Sequence, residues 1–307
     1  MFLMKFRCPL LILVLMFSLN GCASNWVELD VLVQEEDGAP IEGADIKGSF
    51  ITDEIDNGVK RSSHRDVTDI KGMGKVAGEE EIYVDFLVSK AGYYQSTKRK
   101  VVNQEKRGLV DILLRPKRNP IPMYAKTVVL NASAKEGRSN GEPFGFDLLA
   151  GDFVHPHGKG LINDLLITHS YQKKDSTHYS FQIKIEFADH RDGLVPFYID
   201  DQYRISEFRS ENLGPRSGYV NQLSLNKTRD GKKTTSNLDK SRNYYVRIRT
   251  VVDGNGNIES AHYGKIYGEF PSITYYLNPT PNDRNIEFDL ARNLFRDLKP
   301  AERPRSP

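Results

Sequence analysis

The stretch Trp26 to Val33 (WVELDVLV) sets Val27, Leu29, Val31 and Val33 against Glu28, Asp30 and Leu32. A period of two is the signature of a half-buried strand. The device recurs downstream. From His178 to Phe187, Tyr179, Phe181, Ile183, Ile185 and Phe187 face one way and Gln182, Lys184 and Glu186 the other; Tyr244, Val246, Ile248 and Thr250 then alternate with Arg247 and Arg249. Asp253-Gly-Asn-Gly-Asn257 turns the chain into a further run, Ile258 to Tyr267. Short alternating runs separated by turn residues predict an all-β chain. The expected architecture is two β-sandwich-like domains in tandem, the second larger and antiparallel. Only Asn285 to Leu298 has helical spacing, with Phe288, Ala291, Leu294, Phe295 and Leu298 on one side, and it predicts one short C-terminal helix.

Upstream of the first strand, Lys5 and Arg7 precede an uninterrupted apolar run from Pro9 to Phe17. Such a run is too short to span a bilayer, which takes roughly 20 apolar residues, and it suits an export signal over residues 1–21. The signal ends in Leu19-Asn-Gly-Cys22, which resembles the lipobox of bacterial lipoproteins. The resemblance implies cleavage before Cys22, acylation of its thiol with palmitate-type chains, and retention by the membrane, with residues 22–26 as a lipidated tether. Each buried CH₂ contributes roughly 0.8 kcal/mol, so several chains make a stable anchor. Ala23 follows where inner-membrane lipoproteins have Asp, and by the same resemblance this favours the outer membrane.

The two cysteines are Cys8, lost with the signal, and Cys22, so the mature chain has no thiol for a disulfide, a metal or a nucleophile. The precursor's charge of +2 also falls to zero when Lys5 and Arg7 leave. A neutral exported chain lacks the phosphate contacts that drive nucleic-acid affinity.

Three motifs follow the first strand: Gly38-Ala-Pro40-Ile41-Glu-Gly43-Ala44-Asp-Ile46, Thr68-Asp69-Ile-Lys-Gly72, and Val88-Ser-Lys90-Ala-Gly92-Tyr93, with a closing strand at Leu109 to Leu114. Together they resemble the carboxypeptidase regulatory-like, or transthyretin-like, β-sandwich over residues 27–116. In the enzymes that name it, this module accompanies catalysis without performing it. Asp37-Gly38 reads as a hairpin turn, Gly43-Ala44 as a place where a backbone or ring comes close, and the polar segment from Ser49 to Arg65 as a lid or surface loop. Residues 117–122, in the proline-rich stretch Pro116 to Pro122, read as a stiff linker between independently folding units, open to proteolysis near Arg118. Residues 23–116 carry 13 basic and 18 acidic side chains, against 28 and 23 in residues 117–307. Opposite net charges favour contact between the two parts. Residues 123–298 form the second, β-rich domain, which resembles uncharacterised bacterial lipoproteins, and 299–307 read as a disordered tail.

Four stretches of the second domain hold chemistry-bearing residues. Gly145 to Gly160 (GFDLLAGDFVHPHGKG) carries His155 and His157, which with Asp152 or Asp164 form a nitrogen-and-oxygen set for a divalent metal. Pro156 and the glycines equally predict an irregular loop with surface histidines. Asp253 to Asn257 starts like a calcium loop but has Ile258 and Gly264 where that loop needs Gly and Glu, so it reads as a turn. Tyr263, Tyr267, Tyr275 and Tyr276, near Arg247, Arg249 and Lys265, form a candidate ligand-binding surface for stacking on sugars, or else the core and rim of a sheet. Asn278 to Asn285 supplies turn and cap residues. No nucleotide loop, catalytic triad motif or zinc-helix motif is present. The reading is a non-catalytic envelope module, lipid-anchored at the membrane, for a glycan or protein partner and without a cofactor. Its rival is a metal-dependent hydrolase built on His155 and His157.

Overall fold

The computed structural model describes residues 25–55, 58–133, 137–199 and 205–307. The export signal and Cys22 lie outside the described residues. The chain is all-β, with two β-sandwiches in tandem. Among the described residues no helix is long and apolar enough to cross a membrane.

The first sandwich is built on β1 (Trp26–Gln34), whose Val27, Leu29, Val31 and Val33 are fully buried. The remaining strands of this unit are β2 (Asp45–Ile55), β3 (Gly58–Val67), β4 (Met73–Glu79), β5 (Tyr83–Ser89), β6 (Tyr93–Tyr94), β7 (Ser96–Val101), β8 (Arg107–Leu113) and β9 (Arg115–Pro116). β1 lies between antiparallel β4 and parallel β8, and this three-stranded sheet faces a second one ordered β7-β5-β2-β3. The two inner faces close over one core that includes Ile46, Phe50, Val84, Phe86, Val110 and Ile112. The motif residues fasten its loops. The Thr68 hydroxyl accepts from Ala44 N at 2.8 Å and donates to Ile41 O at 2.6 Å, tying the first two motifs together. Gly43 is needed for its positive φ of 69°, with open space where a Cβ would stand; the close approach is at Gly72, where a Cβ would meet the Val33 carbonyl oxygen at 2.4 Å. The polar segment 49–65 is no loop: β2 and β3 pair through it as a long hairpin.

The second unit comprises β10 (Ile121–Val129), β11 (Pro143–Asp147), β12 (Asp152–Phe153), β13 (Leu165–Lys173), β14 (His178–Glu186), β15 (Gly193–Tyr198), β16 (Ile205–Ser206), β17 (Gln222–Asp230), β18 (Lys233–Ser236), β19 (Arg242–Val252), β20 (Ile258–Tyr267), β21 (Ser272–Leu277) and β22 (Phe288–Asn293). Two six-stranded sheets, β15-β19-β20-β21-β10-β22 and β12-β11-β13-β14-β17-β18, pack face to face. Ile167, Ile183 and Ile185 of one meet Tyr244, Val246, Ile248 and Tyr275 of the other. The first of these sheets also buries its outer face, where Met123, Tyr245, Tyr263, Tyr276, Ile286 and Phe288 form a separate core. β19 and β20 are therefore covered on both sides along much of their length.

Three further expectations, two at the C-terminus and one at the connection, change. Asn285 to Leu298 is not a helix: Phe288–Asn293 runs parallel to β10 as strand β22, with an irregularity between Ile121 and Met123. At its last residue the Asn293 side chain accepts from Ala125 N at 3.3 Å and donates to Ala125 O at 2.7 Å, extending the pairing by a side chain. Residues 299–307 are ordered against the body: Pro300–Glu302 forms a 3-10 turn, Glu302 pairs with Lys126 at 3.1 Å, and Tyr276 Oη donates to Ser306 O at 2.7 Å. The proline-rich connection is likewise held in place. β9 pairs with β6, and the Arg118 and Asn119 amides donate to the Glu287 carboxylate at 2.9 and 2.7 Å. In addition β16 of the second unit pairs with β7 of the first, extending its sheet to five strands.

Candidate functional site

The segment with the candidate metal ligands folds as a loop closed on itself. A Cβ at Gly158 would lie 2.3 Å from Phe153 O, so only glycine allows this closure. Asp152 spends its carboxylate on Phe153 N at 2.8 Å and Lys159 N at 2.9 Å. Asp164 is buried, accepts from Leu148 N at 2.8 Å and receives Arg249 Nε at 2.8 Å. His155 is exposed and His157 half-buried. Among the described residues no group of three or more His, Cys, Asp or Glu side chains converges to hold a metal ion. The set His155, His157, Asp152 and Asp164 is therefore not assembled, because its carboxylates close the loop instead.

What the loop does provide is an anchorage for Arg249. This side chain reaches Asp147 Oδ1 at 2.7 Å as well as Asp164, and its own backbone stands at φ 56° beside an irregularity in the β19–β20 pairing. A non-glycine residue in that region is held there by its surroundings. The holding groups are evident: Asp192 accepts from Arg249 N at 2.8 Å and from Thr250 N at 3.0 Å. Burial pushes the Asp147 carboxyl up, but the amides of Ala150, Leu161 and Ile162 together with Arg249 outweigh it and leave it below the usual range. For Asp164 burial wins over Arg249, and its carboxyl lies above that range. The arrangement is a buried ionic clasp joining β11, the 147–164 loop and β19, with its donors and acceptors engaged by one another.

The four candidate tyrosines do not form a surface. Tyr275 is fully buried in the core between the sheets and donates to Leu148 O at 2.9 Å; Tyr263, Tyr267 and Tyr276 are buried on the opposite face. Their ring faces are taken up by neighbours such as Phe288, 5.2 Å from Tyr276. Successive tyrosines at 275 and 276 point to opposite faces, as strand geometry requires, and both faces happen to be covered.

One covering element, the segment after β16, brings Phe208 and Ser210 over the outer face and traps Lys265 beneath them. Its Nζ is fully buried, 3.3 Å from Ser210 Oγ and 4.2 Å from the Phe208 ring centroid, with the Tyr267 and Tyr276 rings at 5.2 and 5.1 Å. Burial holds this amine well below the usual lysine range, against the attraction of Glu287. Phe208 continues across to the first sandwich, where it stacks on Tyr94 at 4.9 Å. Arg115 reaches back to donate to Ser210 O.

Beside this contact lies a cavity of about 450 Å³ with walls from both units. Tyr94, Lys117 and Pro120 come from the first sandwich and the connection; Glu207, Phe288, Asp289, Leu290, Ala291 and Pro307 come from the second. Its lining combines an apolar floor with one cation and two carboxylates. Nothing in the sequence brings these residues together, because they are distributed over five separate segments and only the tertiary fold assembles them.

No family model and no curated protein matches the sequence. Among solved structures, the chain is similar to a point mutant of the shaft pilin SpaA of Lactobacillus rhamnosus GG, at 12% identity over 75% of this chain and 89% of that one, with a TM-score of 0.23. It is also similar to a DUF3823 family protein from Parabacteroides merdae, at 7% identity over 86% of this chain and 98% of that one, with a TM-score of 0.23.

Proposed function

We propose that this protein is a non-catalytic module of the bacterial cell envelope, anchored through acyl chains on Cys22 at the outer membrane, that binds an envelope glycan in the cavity between its two sandwiches. The observation that carries the ligand reading is the cavity. Its volume of about 450 Å³ lies in the range of small-molecule sites, and its lining pairs apolar surface with a few polar groups of both signs. Lys117 set against Glu207 and Asp289 suits a short neutral or zwitterionic sugar better than a polyanion. The non-catalytic reading is supported by the fate of the other polar clusters: the Arg249 clasp is closed on itself, and the carboxylates near His155 and His157 are engaged with backbone amides and with Arg249. The anchor reading is supported by the Leu19-Asn-Gly-Cys22 stretch at the end of a signal-like segment.

Two measurements test the two halves separately. Fractionation of cells should find the parent chain in the membrane pellet after a salt wash and the Cys22→Ala chain in the soluble fraction; a variant that still pellets would place the anchor elsewhere. Co-sedimentation with purified peptidoglycan should retain the parent protein. Failure to sediment with it, and failure to bind its soluble fragments or neutral oligosaccharides, would remove the glycan reading.

A further inference from the structure

The end of the first sandwich nearest the chain start exposes three large apolar side chains. Trp26, at the beginning of β1, is 51% exposed; Ile82, in the turn from β4 to β5, is 57% exposed; Val101, at the end of β7, is 56% exposed. The pairing places all three at the same end. Trp26 lies opposite Glu79, Glu80 N donates to Asn25 O, Tyr83 lies opposite Val101, and Val102 N donates to Ile82 O. The opposite end is committed to the second sandwich: β1 runs away from Trp26 to Gln34, parallel β8 delivers the chain to Arg115, and the Ser96 end of β7 pairs with β16.

We infer that this end of the first sandwich seats directly on the lipid surface, with Trp26, Ile82 and Val101 entering the headgroup region. The inference rests on the acylated Cys22 of the proposed function. Only four residue steps separate Cys22 from Trp26, and at about 3.6 Å per step the Trp26 Cα is held within about 14 Å of the Cα of the acylated cysteine. A tether that short leaves the protein no freedom to keep this end away from the bilayer. An indole flanked by aliphatic side chains is the composition that partitions to the membrane interface. Charges of both signs rim the patch, Glu79 and Glu81 with Lys106, whose ammonium donates to Glu80 O at 2.6 Å, and Arg107 opposite Glu28, so the seat suits neutral, zwitterionic headgroups. With the opposite end attached to the second sandwich, the glycan cavity faces away from the bilayer.

Trp26 is the single tryptophan of the chain and reports on its own position. The full-length protein, acylated in its host, is reconstituted into phosphatidylethanolamine/phosphatidylcholine vesicles with and without bromine on the acyl chains. Flotation with the vesicles, lost in Cys22→Ala, reads the anchor. Quenching of Trp26 by about twofold in brominated vesicles, with weak quenching by aqueous iodide, reads the seat, because the quencher acts only near contact with an interfacial indole. Replacing Ile82 and Val101 together by Asp, both exposed positions, should leave flotation intact and restore iodide access. A parent protein that floats while its tryptophan ignores the bromolipid and stays open to iodide overturns the seat and leaves the anchor standing. A parent protein that does not float removes the anchor and the seat with it.

Discussion

Tyr94 donates its hydroxyl hydrogen bond to Glu287 at 2.9 Å across the junction of the two sandwiches. The same carboxylate, almost wholly buried, takes the amides of Arg118 and Asn119, so one side chain fastens the first unit, the connection and the second unit. Burial, followed by the charge of Glu287, pushes the Tyr94 phenol far above the usual tyrosine range, and it stays a donor at every physiological pH.

Glu287→Ala strands two amides and a phenol at once. Leaving buried partners of a charged acceptor unmade costs about 3 kcal/mol. The expected result is a lower denaturant midpoint together with faster tryptic cleavage after Arg118, because the connection loses its acceptor. Unchanged cleavage kinetics in the variant would show that the Glu287 contacts do not protect this segment.

Arg249→Met tests the clasp. Removing the cation leaves Asp147 and Asp164 buried without their shared partner, and breaking a buried pair from one side costs about 3–5 kcal/mol. Part of that loss should return in the triple variant Arg249→Met, Asp147→Asn, Asp164→Asn, which no longer buries charge. Chemical denaturation of the two variants checks this; equal stability of both would mean that the ionic pairing contributes little.

Lys265→Met should stabilise the protein at neutral pH. In the folded state burial lowers the amine's pKa, whereas in the unfolded chain it titrates near 10.4, so between the two values the unfolded state binds more protons and stability rises with pH. Below the folded pKa the penalty is complete. Each pH unit spent inside that window changes stability by about 1.4 kcal/mol. The difference between variant and parent should therefore shrink as pH approaches about 10 and vanish above it. Thermal melts from pH 6 to 10.5 measure it, and a difference independent of pH would show that Lys265 keeps its proton in the folded state as it does in the unfolded one.

Much of the fold was readable from alternation because the first sandwich buries one face of each strand, as at Val27 to Val33. The second sandwich was harder. Its β19 and β20 are covered on both faces, so tyrosines and Lys265 that alternation assigns to a rim are interior, and nothing local to YGKIYG signals that Phe208 will cover it. Helical spacing at 288, 291, 294, 295 and 298 was genuine in the sequence but had another cause: Phe288 belongs to the outer core, while Phe295 packs on Tyr124 and Tyr275 toward the inner one. The metal reading rested on residue types without their backbone partners. Asp152, read as a ligand, serves its own loop's amides.

The cavity between the sandwiches is the proposed glycan site. Calorimetric titration of the parent protein and of Leu290→Arg with soluble peptidoglycan fragments tests it most directly, since Leu290 lines the cavity and is half exposed, so the folded body tolerates the change. The parent should bind saturably and the variant lose about tenfold or more in affinity, equivalent to about 1.4 kcal/mol, with an unchanged melting temperature. Equal binding by both proteins would contradict the assignment of the site, and no binding by either, with neutral oligosaccharides also inert, would contradict the function.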